Sequence, residues 1–217
     1  MKFLALPAAL LLSTAIAQAS EPVKVDWADL APPYTAYENP FADISSAHMS
    51  RLSHLLQLQT LAETGTDAYA AEDAANLRQE LIDSGLDVDF LFAERLRIMD
   101  LRMKDATAPN ETIVGQTVRI PGYILPLDVQ DGKAVEFLLV PTVGACIHVP
   151  PPPANQIVHV SYPEGFEATG LYAPIWISGQ IKSDPQEKSL WLVDGESKVN
   201  ITYTMDAATV EPYTDTQ

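Results

Sequence analysis

The chain has 217 residues, 47% of them hydrophobic, with 13 Lys and Arg against 29 Asp and Glu, for a formal charge of −16. So acidic a surface works against nucleic acid and anionic membrane as partners, because both are bound by Lys and Arg meeting phosphate. It suits neutral, basic or cationic partners, metal ions included, and it also serves solubility alone.

The first segment, "MKFLALPAALLLSTAIAQAS", has one early lysine, an apolar run from Phe3 to Leu12 and small residues ending Ala17-Gln18-Ala19. That layout predicts a secretory signal peptide over residues 1–19, cleaved after Ala19. The run is too short for a membrane span, which needs ~20 apolar residues, and Pro7 breaks it. Loss of Lys2 takes the charge from −16 to −17. No later stretch reads as a span, so a soluble exported chain from Ser20 is expected. Its single cysteine, Cys146, has no internal disulfide partner. An unpaired thiol in an oxidising compartment is open to oxidation unless it is buried or bound.

Residues 20–106 read as an extended lead followed by helices. "EPVKVDWADLAPPYTAYENPF" is proline-containing, with Trp27 and Leu30 as anchors onto a core. Leu52, Leu55, Leu56 and Leu61 then recur near helical spacing, behind the capping-type residues Asp43, Ser45 and Ser46. His48 and His54 lie six apart, which does not place both on one helical face as a metal pair, so they read as surface or packing histidines. A second helix, "EDAANLRQELIDSG", ends at Gly85, a C-cap residue. The third places Phe90, Leu91, Leu96, Ile98, Met99, Leu101 and Met103 on a broad apolar face.

From residue 107 to 217 the texture changes. "TVRIPGYILPLD", "AVEFLLVP", "QIVHVSYP", "APIWISGQIKS" and "VNITYTMD" are short, rich in β-branched and aromatic residues, and bounded by Gly, Pro and Asp. The Asp-Gly in "DVQDGK" predicts a hairpin between the first two. Gly122 and Gly179 sit inside strands, where glycine marks a bulge or a barrel corner. Five such strands suggest a small closed barrel of the OB type, with a two-sheet sandwich as the alternative. Asn110-Glu-Thr and Asn200-Ile-Thr match the glycosylation sequon, which matters only in a eukaryotic secretory route.

The chemistry gathers in "GACIHVPPPPANQIVHV", residues 144–160. On a strand, Cys146 and His148 point to one side with Cα atoms ~6.5–7 Å apart. A thiolate and an imidazole at that spacing suit Zn²⁺ or Cu⁺. Further ligands must come from elsewhere, and Glu136 and His159 are the candidates. Pro150, Pro151, Pro152 and Pro153 form a stiff polyproline II arm without a free N–H. The arm is either a wall beside the metal or a docking ligand for a partner. The bland reading makes Cys146 a small buried hydrophobe and His148 a core histidine. A cysteine-nucleophile enzyme is a third reading, with His148 or His159 as base and Asn155 as orienter, but no local nucleophile signature accompanies it.

"PGYILPLD", "EFLLVPTVGACIHVPPPPANQIV" and "YAPIWISGQI", with the early "WADL", resemble the DUF3299 family of exported bacterial proteins over roughly residues 112–205. The resemblance implies an OB-like barrel. It also implies a periplasmic accessory role in metal handling, since members occur beside ABC-transporter components and in some cases in zinc-responsive gene clusters. It carries over to Cys146, His148, the proline arm, Asn155 and Gln156.

Together these readings predict an α+β protein, an N-terminal helical region packed on a C-terminal OB-like barrel. The expected function is a periplasmic protein that binds or traffics a transition metal, zinc foremost, together with an ABC transporter. Cys146 and His148 would be ligands, Glu136 or His159 a third, with Asn155 and Gln156 supporting. The rival is a non-enzymatic interaction subunit that docks an envelope partner through the proline arm.

Overall fold

A computed structural model describes residues 21–34, 36–144, 151–167, 174–192 and 195–213. The predicted signal peptide, Cys146 and His148 lie outside the described residues. Among the described residues, three α-helices and six strands make a mixed α/β fold.

The lead forms strand β1 (Val23–Lys24) and a 3-10 turn over Trp27–Leu30. Leu30 is fully buried and Trp27 packs against the same cluster, as their anchoring role predicts. Helix α1 (Ser46–Thr64) starts where the Ser45 hydroxyl accepts a hydrogen bond from the His48 amide, and ends at Gly65 in the left-handed region. Helix α2 (Ala70–Asp83) stops just before Gly85, whose φ of 92° few other residues tolerate. Helix α3 (Val88–Thr107) is capped by Asp87, which accepts from the Phe90 amide. Leu52, Leu55 and Leu58 of α1 meet Ala70, Ala74 and Leu81 of α2 and Val88 and Leu91 of α3.

Strand β2 (Thr117–Gln130) turns at Asp131-Gly132, both with positive φ, into the antiparallel β3 (Lys133–Val140). This is the hairpin that the Asp-Gly pair predicts. β4 (Val158–Phe166) pairs antiparallel with β3. β5 (Pro174–Leu192) and β6 (Gly195–Pro212) form a hairpin longer than the apolar segments alone mark. The sheet order is β1-β2-β3-β4-β6-β5, with β4 and β6 parallel and β2 also paired with β5. Gly179 sits at a register shift against β6, where a Cβ would lie 2.5 Å from the Asp206 carbonyl oxygen. Gly122 faces Leu139, where a Cβ would meet Cγ at 2.8 Å. Glycine is needed at both places for close approach.

The strand half buries apolar side chains on two sides. Phe137 and Leu139 of β3 enter one core with Ile120, Ile177 and Tyr203; Leu138 and Val140 enter another with Ile157, Val199 and Ile201. The helices have a core of their own that shares no residue with either.

Two expectations are corrected here. Helical geometry is not confined to the N-terminal region: α3 reaches, near its C-terminal end, a second 3-10 turn over Ala154–Gln156 in the strand half. That turn also adds helical geometry inside the C-terminal half, because Pro153 fixes the entry and the Gln156 amide bonds back to the Pro153 carbonyl at 2.8 Å. The apolar face of α3 is split as well. Leu91 and Ile98 are buried, while Phe90, Leu96, Met99 and Met103 are exposed, since α1 and α2 cover only one stripe of the helix.

Candidate functional site

The proline arm returns to the fold at a buried polar junction. Pro153 has φ −51° and ψ 149°, close to polyproline II geometry. Immediately after it, the Asn155 side chain is 1% exposed. Its Nδ2 donates to the carbonyl oxygens of Asp105 at 2.6 Å and Ala108 at 3.0 Å, at the end of α3. Gln156 Nε2 donates to the Trp27 carbonyl at 2.9 Å, and Trp27 Nε1 donates to the Pro121 carbonyl at 2.7 Å. Tyr203, fully buried on β6, donates from its hydroxyl to the Leu30 carbonyl at 2.5 Å and accepts from the Asn110 amide at 2.6 Å. Burial, foremost, pushes that phenol above its ordinary value. Thr202 Oγ1 donates to the Thr107 carbonyl at 2.8 Å, and Asn110 Nδ2 to the Asp29 carbonyl at 2.7 Å.

Six side chains thus tie the arm's base to α3, to the first 3-10 turn and to β2 and β6. A buried carbonyl left without a donor costs about 1–3 kcal/mol, so the network selects one arrangement of these segments. The side-chain amides of Asn155 and Gln156 donate to the chain's own backbone. Pro151 and Pro153 stand exposed beside them; Pro150 lies outside the described residues.

The two remaining candidates come together elsewhere on the sheet. Glu136 on β3 and His159 on β4 are diagonal neighbours, and His159 Nε2 donates to Glu136 Oε1 at 2.7 Å. Lys188 on β5 donates to the same oxygen at 3.2 Å. The His159 hydrogen bond, with Lys188 adding to it, holds the Glu136 carboxyl below its ordinary range against partial burial. A carboxylate oxygen with an ammonium on it is a weak metal ligand, since the incoming cation must displace a like charge. Among the described residues no group of three or more His, Cys, Asp or Glu is arranged to hold a metal ion. The cysteine-nucleophile reading rests on Cys146 and falls outside them too.

Lys188 had no signal of its own, because "DPQEKS" reads as a polar turn and is strand only through pairing with β6. Tyr203 was legible as a strand residue but not as a bridge. In the sequence Asn110 carries only a sequon signal.

The DUF3299 family model, described as a protein of unknown function, matches residues 27–212. The chain belongs to the DUF3299 family. The match opens at Trp27, includes all three helices and closes at the end of β6, so the family's common structure takes in the helical half as well as the strands. A crystal structure of a DUF3299 family protein from Pseudomonas aeruginosa PAO1 is similar, with a TM-score of 0.50 at 25% identity, covering 91% of this chain and 100% of that one. No curated protein matches the chain.

Proposed function

We propose that this DUF3299 protein is a non-enzymatic interaction subunit of the bacterial envelope, exported to the periplasm, that docks a transporter or other envelope partner through its proline arm. The observation that carries this reading is the fixed base of the arm: Asn155 and Gln156 bind α3 and the Trp27 turn, directly behind exposed Pro151 and Pro153. A polyproline segment is already extended, and a held base removes further freedom, so little ordering entropy is lost on docking. An OB-like closed barrel is the finer fold this reading adopts. It is supported by pairings that run from β2 through β3, β4, β6 and β5 back to β2, with β4–β6 as the parallel pair.

The test is a photo-crosslinking residue at Pro151 in cells, beside a variant that keeps this residue and has Pro152 and Pro153 replaced by Gly-Ser. One discrete adduct that vanishes with the flexible arm supports the proposal. An adduct equally strong with the flexible arm, or none at Pro151, sinks it.

Metal binding is the second reading, with Cys146 and His148 as ligands for Zn²⁺ or Cu⁺ and Glu136 or His159 as a third. The contact that favours it is the carboxylate–imidazole pair at 2.7 Å. With Glu136 as the third ligand, metal must take that carboxylate from Lys188; the reading is tested by metal content of the purified chain beside Cys146→Ser. Near-stoichiometric zinc or copper that is lost in the variant supports it; a wild type that ignores added zinc removes it.

A further inference from the structure

Between α1 and α3 lies a cleft of about 520 Å³, open to solvent. Leu52, Phe92 and Ile98 are apolar lining, with Met49 and Met99 exposed beside them. Outside the cleft the apolar surface continues along α3 through Leu96 and Met103, 61% and 63% exposed. Leu96, Met99 and Met103 follow i, i+3, i+7 spacing, so they form one ridge over two turns. Methionine is unbranched and adaptable, and it recurs on surfaces that receive apolar helices.

Arg95 and Arg102 also line the cleft. They are seven residues apart, about 10.5 Å along the helix and on one side of it. Every other arginine of the described residues has a carboxylate partner: Arg51 with Glu80, Arg78 with Asp89, Arg97 with Glu94 and Arg119 with Glu211. Arg102 Nε donates to the Tyr37 hydroxyl at 3.1 Å, and neither Arg95 nor Arg102 has an ion-pair partner among the described residues. In a chain with formal charge −16, two arginines without carboxylates beside an exposed apolar ridge are a local positive site on an acidic surface.

We infer that the α1–α3 cleft receives an amphipathic helix of a protein partner, its apolar stripe seated on Met49, Met99 and Met103 and two acidic residues seven apart meeting Arg95 and Arg102. The chemistry is helix-in-groove recognition with charge complementarity setting register. A protein helix is favoured over a lipid surface because the site is concave and the chain's charge repels anionic bilayers. The inference stands apart from the proline arm, and each can fail without the other.

The experiment is selection of a helix-biased peptide library, its charged positions randomised, on the full exported chain. Selected peptides are expected to carry Asp or Glu seven apart, to lose binding on Met99→Glu, and to weaken about tenfold on Arg95→Glu with Arg102→Glu. Peptides with Lys at the same positions should restore binding to that double variant. Leu96→Glu serves beside Met99→Glu, and circular dichroism verifies helix content in each. Binders without acidic bias, or none that these variants abolish, overturn the inference. Adsorption to phosphatidylcholine–phosphatidylglycerol vesicles that depends on Arg95 and Arg102 also overturns it, and assigns the face to lipid.

Discussion

Strand β3 and helix α3 are both rich in apolar residues and treat them in opposite ways. β3 alternates Phe137 and Leu139 into one core with Leu138 and Val140 into another, so all four are buried. A strand presents two faces, and here each has a neighbour to cover it. α3 presents a full circle, and its partners cover a stripe. Leu91 and Ile98 are buried while Leu96, Met99 and Met103 face water. Apolar content alone therefore does not distinguish a core from a binding face; the number of covering neighbours does.

The sharpest test of that contrast sets Phe137→Ala against Met103→Ala. The first should cost ~3–5 kcal/mol, as buried Phe truncations do. The second should stay within about 0.5 kcal/mol, as exposed substitutions do. Urea unfolding of both variants checks this, and similar losses would show that α3's exposed ridge is packed in solution.

Next in size is Gly179→Ala. Its Cβ would press on the Asp206 carbonyl and on Met205 Cγ at 2.8 Å, both across the β5–β6 pair. Overpacking of this kind costs about 1–3 kcal/mol, while Gly65→Ala meets no atom within 4 Å and tests backbone conformation alone. Thermal unfolding of the two separates crowding from φ strain.

Asn155→Ala probes the link between the two halves. It leaves the Asp105 and Ala108 carbonyls without their donor, for about 1–3 kcal/mol. Amide exchange should quicken at the end of α3 and in Ala154–Ile157, while β3 stays protected. Uniform loss of protection would instead mean that the halves unfold as one unit.

The smallest expected effect concerns Glu136. Its folded value lies below the ordinary 4.5, through His159 first and Lys188 second. A depressed carboxylate stabilises the fold above its unfolded value and loses that contribution as pH falls through the folded one. The window therefore opens near 4.5 and closes below it. Because Glu136 is 37% exposed, solvent screening keeps the contribution small. Melting between pH 6 and 3 should flatten slightly in Glu136→Gln, and an unchanged slope would remove the pair from the acid response.

Much of this protein was legible residue by residue. Gly85, Ser45, the Asp131-Gly132 turn, the five strand segments and the family's long motif are local signals, set by backbone preference and by alternation over a few positions. Long-range features were not. The β5–β6 hairpin outruns its apolar segments because pairing, not propensity, carries "DPQEKS" as strand. Asn155, expected to support a partner or metal site, also forms a buried staple, and nothing in "PANQ" tells which carbonyls will lie 2.6–3.0 Å from its amide. Leu96, Met99 and Met103 read as one broad apolar face with Leu91 and Ile98, because periodicity reports that a helix has an apolar side, not whether another element will cover it. Order along the chain sets which conformations are cheap. Which surfaces meet depends on contacts between residues as far apart as Leu30 and Tyr203, and those exist only once the chain has closed on itself.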